Sequence, residues 1–262
     1  MKRIFLFCLI LAACKHASTE LIETYWDNSK LKLKEHYFVL KEDHQKKQND
    51  YRSFYANGEK EFVKHFENNE LVDSFFHFND NGILIEKCFY KKNKLEGERF
   101  LYNDSGKTLT IESYSKGLFH GIYKSFYDNG KPKEIGNYTN NMMEGEWKYF
   151  YENGNLKEVV KYIKGSENGD YKGYYPTSKL KATGFYKNEK EDSIWHNYYE
   201  NGKLMEIVNY KAGMEDGLTR MFSKDSILTK EIIYKQGIPV DYNDLINHIH
   251  TKHDFDFLKE KK

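Results

Sequence analysis

The sequence predicts an all-β protein: an elongated antiparallel meander, or solenoid, of tandem 24-residue β-hairpin repeats, closed by a short C-terminal capping helix. Three observations predict it. Eight loop positions, Gly58, Gly82, Gly106, Gly130, Gly154, Ser178, Gly202 and Ser226, fall 24 residues apart with no insertion or deletion. An aromatic stands four residues before each of these teeth, from Phe54 to Phe222, and another eight residues after, from Phe66 to Tyr234. A looser glycine comb, Gly97, Gly121, Gly145, Gly169 and Gly217, follows fifteen residues behind the teeth, with Asp73, Ser193 and Asp241 substituting. A fixed period of this length marks an array of one small unit that buries its apolar side only against its neighbours.

Residues 1–13 read as a secretory signal. Lys2 and Arg3 precede the apolar stretch Ile4 to Ala13, too short to span a bilayer, and Leu11-Ala12-Ala13-Cys14 resembles the lipobox of bacterial lipoproteins. That resemblance implies lipidation of Cys14, a membrane attachment through its acyl chains (palmitate among them), and, with Lys15 following, an outer-membrane destination. Cys8 would leave with the signal and Cys14 carry lipid. Cys88 would then stand alone, as a small buried hydrophobe with no intrachain disulfide.

Residues 14–24 are expected to be an N-terminal tether. Residues 25–50 hold a degenerate first repeat, Trp26 to Tyr37, and a polar insertion from Lys41 to Asp50. The array proper covers 51–240. Its clearest unit runs from Glu146 to Tyr162, with Asn153-Gly154 between two alternating runs. Asn-Gly there predicts a two-residue type I′ turn, which needs positive φ at both positions. Such a turn pairs Tyr151 with Leu156, Tyr149 with Glu158 and Trp147 with Val160. It also places Trp147, Tyr149, Tyr151, Leu156, Val160 and Tyr162 on one core face, and Lys148, Phe150, Lys157, Val159 and Lys161 on the other. Thr177-Ser178 and Asp225-Ser226 lack the glycine and are expected to turn less tightly. The second comb suits a return turn or a close strand approach.

Residues 241–262 are expected to cap the array. Asp241 or Asn243 would start a helix whose Leu245, Ile246 and Ile249 cover the last hairpin. His248, His250 and His253, with Asp254 and Asp256, offer the alternative of a metal site.

The repeat resembles the MORN repeat in its bacterial variant, found in YwqK-type proteins: an aromatic before Asn-Gly, Leu and Glu after it, then Tyr, spaced glycines and Trp or Tyr. The match is close over Tyr127 to Tyr149, Tyr151 to Tyr175 and Tyr199 to Thr219, with Pro132, Ser178, Ser193 and Ser226 as departures. Array geometry joined to the lipobox points to a non-enzymatic interaction scaffold displayed at the envelope, binding an unidentified protein partner or envelope polysaccharide. The resemblance implies an alternative: an antitoxin or immunity protein that occludes a toxin. Tyr123, Tyr127, Trp147, Tyr149, Tyr151, Tyr171, Tyr175, Trp195 and Tyr199 are the candidate binding-face aromatics. Terminal strands left unpaired would allow a homodimer.

A formal charge of +1 gives no attraction to nucleic acid. Lysines interleaved with aromatics, as at Lys148, Phe150 and Lys157, read as a solvated sheet face. No catalytic residue, cofactor or metal is expected. Glu86, Glu134, Glu158 and Glu206 recur at one unit position, whereas a catalytic pair breaks symmetry once; they suit pairing with lysines across strands. His65, His77, His120 and His196 are isolated, and Ser113, Ser125 and Ser193 lack a nucleophile motif.

Overall fold

The computed structural model describes residues 19–26 and 33–240. Cys14, the signal, the capping helix and the C-terminal histidines lie outside the described residues. Every described element is a strand, and no helix among these residues is long and apolar enough to cross a membrane.

The chain divides into two compact units, residues 1–94 and 95–262. The first contains β1 (Thr19–Tyr25), β2 (Leu33–Leu40), β3 (Asp43–Phe54), β4 (Lys60–Glu67), β5 (Glu70–Phe78) and β6 (Leu84–Lys91). Each pairs antiparallel with the next. Part of the expected tether is therefore strand: Thr19 to Tyr25 hydrogen-bond along β2. The polar insertion is strand as well. Residues 44–46 bulge between the pairs Val39↔Lys47 and Leu40↔Asp43, so β3 absorbs the extra length while Val39 and Leu40 stay buried.

A two-residue strand, β7 (Lys94–Leu95), falls at the boundary. The second unit continues with β8 (Gly97–Tyr102), β9 (Thr108–Ser115), β10 (Leu118–Phe126), β11 (Pro132–Thr139), β12 (Met142–Phe150), β13 (Leu156–Ile163) and β14 (Ser166–Tyr174). It ends with β15 (Leu180–Lys187), β16 (Lys190–Tyr198), β17 (Leu204–Lys211), β18 (Met214–Glu215), β19 (Gly217–Phe222), β20 (Leu228–Lys235) and β21 (Ile238–Pro239). Consecutive strands from β8 onward form an open antiparallel meander, with β17 paired to both β18 and β19.

The two turn types stand in the opposite places from those expected. Of each Asn-Gly pair at the teeth only the glycine has positive φ: Gly154 is at 90°, while Asn153 is not in that region. Gly154 N donates to Tyr151 O and Tyr151 N to Asn155 O, each at 2.8 Å, which closes a three-residue loop with a glycine bulge. The bulge shifts register, so Phe150 rather than Tyr151 faces Leu156, while Tyr149↔Glu158 and Trp147↔Val160 pair as anticipated. Asparagine is spent differently from the sequence expectation. Asn153 Oδ1 accepts Asn155 N at 2.9 Å, an Asx turn, and its Nδ2 donates to Pro176 O of the following unit at 3.0 Å. Asn57, Asn129 and Asn201 repeat both bonds. The type I′ turns are the return turns: Asn140 and Asn141 have φ of 50° and 67°, and Lys164 and Gly165 51° and 86°. The second comb marks bulges inside strands, where Gly121 and Gly169 have φ of 110° and 135°.

Ser178 and Ser226 are not loose. Their φ values are 67° and 69°, and Ser178 N still donates to Tyr175 O at 2.8 Å. The turn is kept and the serine carries the left-handed strain instead. Ser178→Gly is expected to raise stability by about 0.5–1 kcal/mol, since a β-carbon in that region costs about 1–2 kcal/mol, offset in part by the freer unfolded chain. A chemical denaturation midpoint unchanged or lowered would contradict this.

Candidate binding face

Side-chain alternation gives the second unit an inner and an outer face. On the inner face Trp147 and Trp195 are 1% and 6% exposed. Each lies against a glycine of the preceding strand. A β-carbon built on Gly136 would sit 2.1 Å from Trp147 Cδ2, and one on Gly184 2.1 Å from Trp195 Cδ2. Tyr123 stacks on Trp147 at 5.7 Å and Tyr171 packs on Trp195 at 5.1 Å, while Tyr138 and Tyr186 meet the indoles edge-on at 5.1 Å.

Three of the recurring inner glutamates each accept a hydrogen bond from a neutral side chain. Glu134 accepts from Ser125 Oγ at 2.9 Å, Glu158 from Tyr171 OH at 3.3 Å, and Glu206 from Asn197 Nδ2 at 2.8 Å. Lysines do not line this face because alternation sends them to the other. Only Lys157, adjacent in sequence, reaches Glu158, at 3.5 Å. Among the described residues no three His, Cys, Asp or Glu side chains converge to hold a metal. Burial, reinforced by Glu112 and Glu134, pushes the Tyr123 phenol up to about 12. Burial with Glu112 does the same to Tyr114, and burial with Glu191 to Tyr186, both about 12. Tyr162 and Tyr171 are raised further, again by burial first.

The nine aromatics expected at the binding face are engaged within the sheet. Tyr127, Tyr151, Tyr175 and Tyr199 each donate a hydroxyl to the carbonyl 23 residues on, Phe150, Tyr174, Tyr198 and Phe222, at 2.6 to 2.8 Å. These bonds staple one hairpin tip to the next. Tyr149 shares a 3.3 Å hydroxyl contact with Tyr162. The six tooth glycines sit at the turns, all with positive φ from 74° to 94°. The two tryptophans are buried, whereas Tyr127, Tyr151, Tyr175 and Tyr199 keep half-buried rings with only their hydroxyls engaged.

Thr219 occupies the place of Trp147 and Trp195 in the last full unit. It is 1% exposed and its Oγ1 has no hydrogen-bond partner. Thr219→Val keeps the shape and removes the orphaned hydroxyl, so a gain of about 1 kcal/mol is expected in thermal unfolding. A loss would show that the hydroxyl is satisfied.

What remains available lies outside. Leu118, Ile122, Met142, Ile163, Ile194 and Met214 are 40–51% exposed. Register places them on the outer face toward the return turns, for Leu118 pairs with Ser115, Ile122 with Asn137 and Ile194 with Asn209. Toward the teeth the outer face becomes cationic. One unbroken row of registered pairs runs Ile111, Lys124, Ile135, Lys148, Val159, Lys172, Thr183, His196, Ile207 and Arg220. Near-neutral net charge thus conceals a sheet with glutamates among tyrosines on one side and cations in file on the other. Sequence reasoning missed this row and the indole seats. Both have a signal: residues 24 apart share a face, and Gly136 and Gly184 each precede a tryptophan by eleven residues.

With this geometry, a family model described as "MORN repeat variant" matches residues 119–140, 143–164, 167–188 and 192–212. The chain carries four tandem MORN-variant repeats. All four fall in the second unit and include both indole seats. No curated protein matches the chain. Among solved structures, a GtfA/B complex bound to UDP and GlcNAc is 13% identical with TM-score 0.20, covering 53% of this chain and 26% of that one. A TcdB2-TccC3-Cdc42 structure is 12% identical with TM-score 0.23, covering 82% and 14%. The chain spans at most 26% of the length of either, and superpositions this partial carry nothing about function. MORN repeats support a repeat-based protein-binding scaffold and are generally non-enzymatic.

Proposed function

We propose that this protein is a non-enzymatic scaffold, anchored through lipid on Cys14 to the bacterial outer membrane, that holds a protein partner on the apolar half of its outer face. The observation that carries the protein-binding part is the recurrence of exposed aliphatics at fixed unit positions: Leu118, Met142 and Met214 at one, Ile122 and Ile194 at another. Glu146 and Asp170 stand between Ile122 and Ile194 at their unit position, and Ser166 and Lys190 between Met142 and Met214, so the surface is mixed apolar and polar, as protein interfaces are; methionine adapts to its partner's shape. Inner-face rings and carboxylates already bind one another, which favours the outer face for this role. The anchor rests on Leu11-Ala12-Ala13-Cys14.

Photo-crosslinkers at Met142 and Ile194, in intact envelopes, are expected to give one discrete protein adduct that a crosslinker at inner-face Glu158 does not. No adduct from either outer position would overturn the protein reading. For the anchor, Cys14→Ser should abolish incorporation of a labelled fatty acid; undiminished labelling would refute it.

A further inference from the structure

The half of the outer face nearer the teeth is chemically unlike the apolar half. Lys124, Lys148 and Lys172 sit on alternate strands of one row, with Ile135 and Val159 between them. Strands lie about 4.8 Å apart, so the cations repeat at about 9.6 Å across the sheet. Lys124 and Lys172 make no ion pair among the described residues, and Lys148 meets only Glu146, at 3.0 Å and half exposed. Two residues along each strand stands an aromatic with the same period: Phe126, Phe150 and Tyr174. All three are half-buried, and none stacks on another ring among the described residues. Ile111 and Phe126, with Lys107 and Asp128 at the tips, line an open cleft of about 470 Å³ between neighbouring hairpins.

A ligand in step with this surface needs one negative charge and one flat apolar face for each two strand spacings. An extended acidic peptide repeats its same-side carboxylates at about 6.6 Å, and a nucleic-acid strand carries a phosphate at every base, about 3.4 Å apart in a helix. Neither keeps register over several units. An extended polysaccharide that alternates a uronic acid with a neutral sugar advances one disaccharide over about the distance between successive lysines. It presents the C–H face of a sugar ring to each aromatic. We infer that this half of the outer face binds an acidic polysaccharide carrying one carboxylate per disaccharide, laid across the strands. The carboxylates pair with Lys124, Lys148 and Lys172, and sugar rings lie on Phe126, Phe150 and Tyr174. The protein partner's aliphatic rows lie at the other end of the same strands, so the two inferences stand or fall separately.

The test uses the full chain and hyaluronan, chosen for its single uronate per disaccharide, with dextran, polyglutamate and oligo-thymidylate alongside, in fluorescence polarisation at low and moderate salt. Hyaluronan is expected to bind best and to weaken with salt. Lys124→Glu with Lys172→Glu should cost about tenfold or more in affinity. Phe150→Ala with Tyr174→Ala should weaken binding at unchanged salt dependence, and Met142→Asp should leave it intact. Near-UV circular dichroism establishes that each variant is folded. Hyaluronan binding no better than dextran would overturn the inference. So would polyglutamate or oligo-thymidylate binding equally well, or a folded aromatic double variant that binds like the parent.

Discussion

Gly136→Ala will destabilise the second unit by about 3 kcal/mol, the upper end of what overpacking costs in a filled interior. The new β-carbon would stand 2.1 Å from Trp147 Cδ2, well inside any permitted approach, and Trp147 has nowhere to go. It is 1% exposed, wedged between Tyr123 and Tyr138, with its Nε1 donating to Asn137 O at 3.1 Å. Backbone strain does not confuse the result, since Gly136 is not among the positive-φ glycines. Urea unfolding followed by far-UV circular dichroism measures the loss. A double-mutant cycle with Trp147→Leu identifies the cause, because the cost of the alanine should largely vanish once the indole is gone. A cost that persisted in full would mean that Gly136 matters for some reason other than seating the ring.

From about pH 10 upward the fold will lose stability steeply, and Tyr114, Tyr123 and Tyr186 will ionise together with unfolding. In the unfolded chain these phenols titrate near 10.0, whereas Tyr114, Tyr123 and Tyr186 are held at about 12 in the fold. A phenol raised on folding favours the native state fully below pH 10, and that contribution is lost as pH climbs through its folded value. Burial is the first cause, and the carboxylates Glu112, Glu134 and Glu191 add to it by sharing the inner face. Because the tyrosines ladder across successive strands, several must ionise at once. Phenolate absorbance and near-UV circular dichroism should therefore change together, between about pH 10 and 12. Ionisation of every phenol by about pH 10 in a molecule that kept its near-UV signal would contradict the buried inner face.

Much of this was legible in the residues. Period, strand direction, the Tyr149↔Glu158 and Trp147↔Val160 register and the burial of Trp147 and Val160 all follow from an unbroken spacing and side-chain alternation. Turn chemistry was not. Asn-Gly suits a type I′ turn on local preference, but Asn153 gains an Asx turn and a bond to Pro176 of the next unit only in another geometry. That second bond is non-local, so a dipeptide cannot announce it. The second role of four aromatics was hidden for the same reason. Tyr127, Tyr151, Tyr175 and Tyr199 read as a stripe of aromatics, but that their hydroxyls reach the following hairpin is not in the spacing. Overall charge of +1 hid the cationic row, since summing along the chain erases which face each residue occupies.

Acrylamide quenching of a Trp26→Phe variant tests the face assignment most directly. Trp26 is 47% exposed, so its removal leaves Trp147 and Trp195 as the chain's reporters. If the indoles are seated on Gly136 and Gly184 within the inner face, emission will be blue-shifted and nearly insensitive to acrylamide until the protein unfolds. Quenching at the rate of free indole in the folded variant would place both tryptophans on a surface open to solvent, contrary to the inner-face assignment.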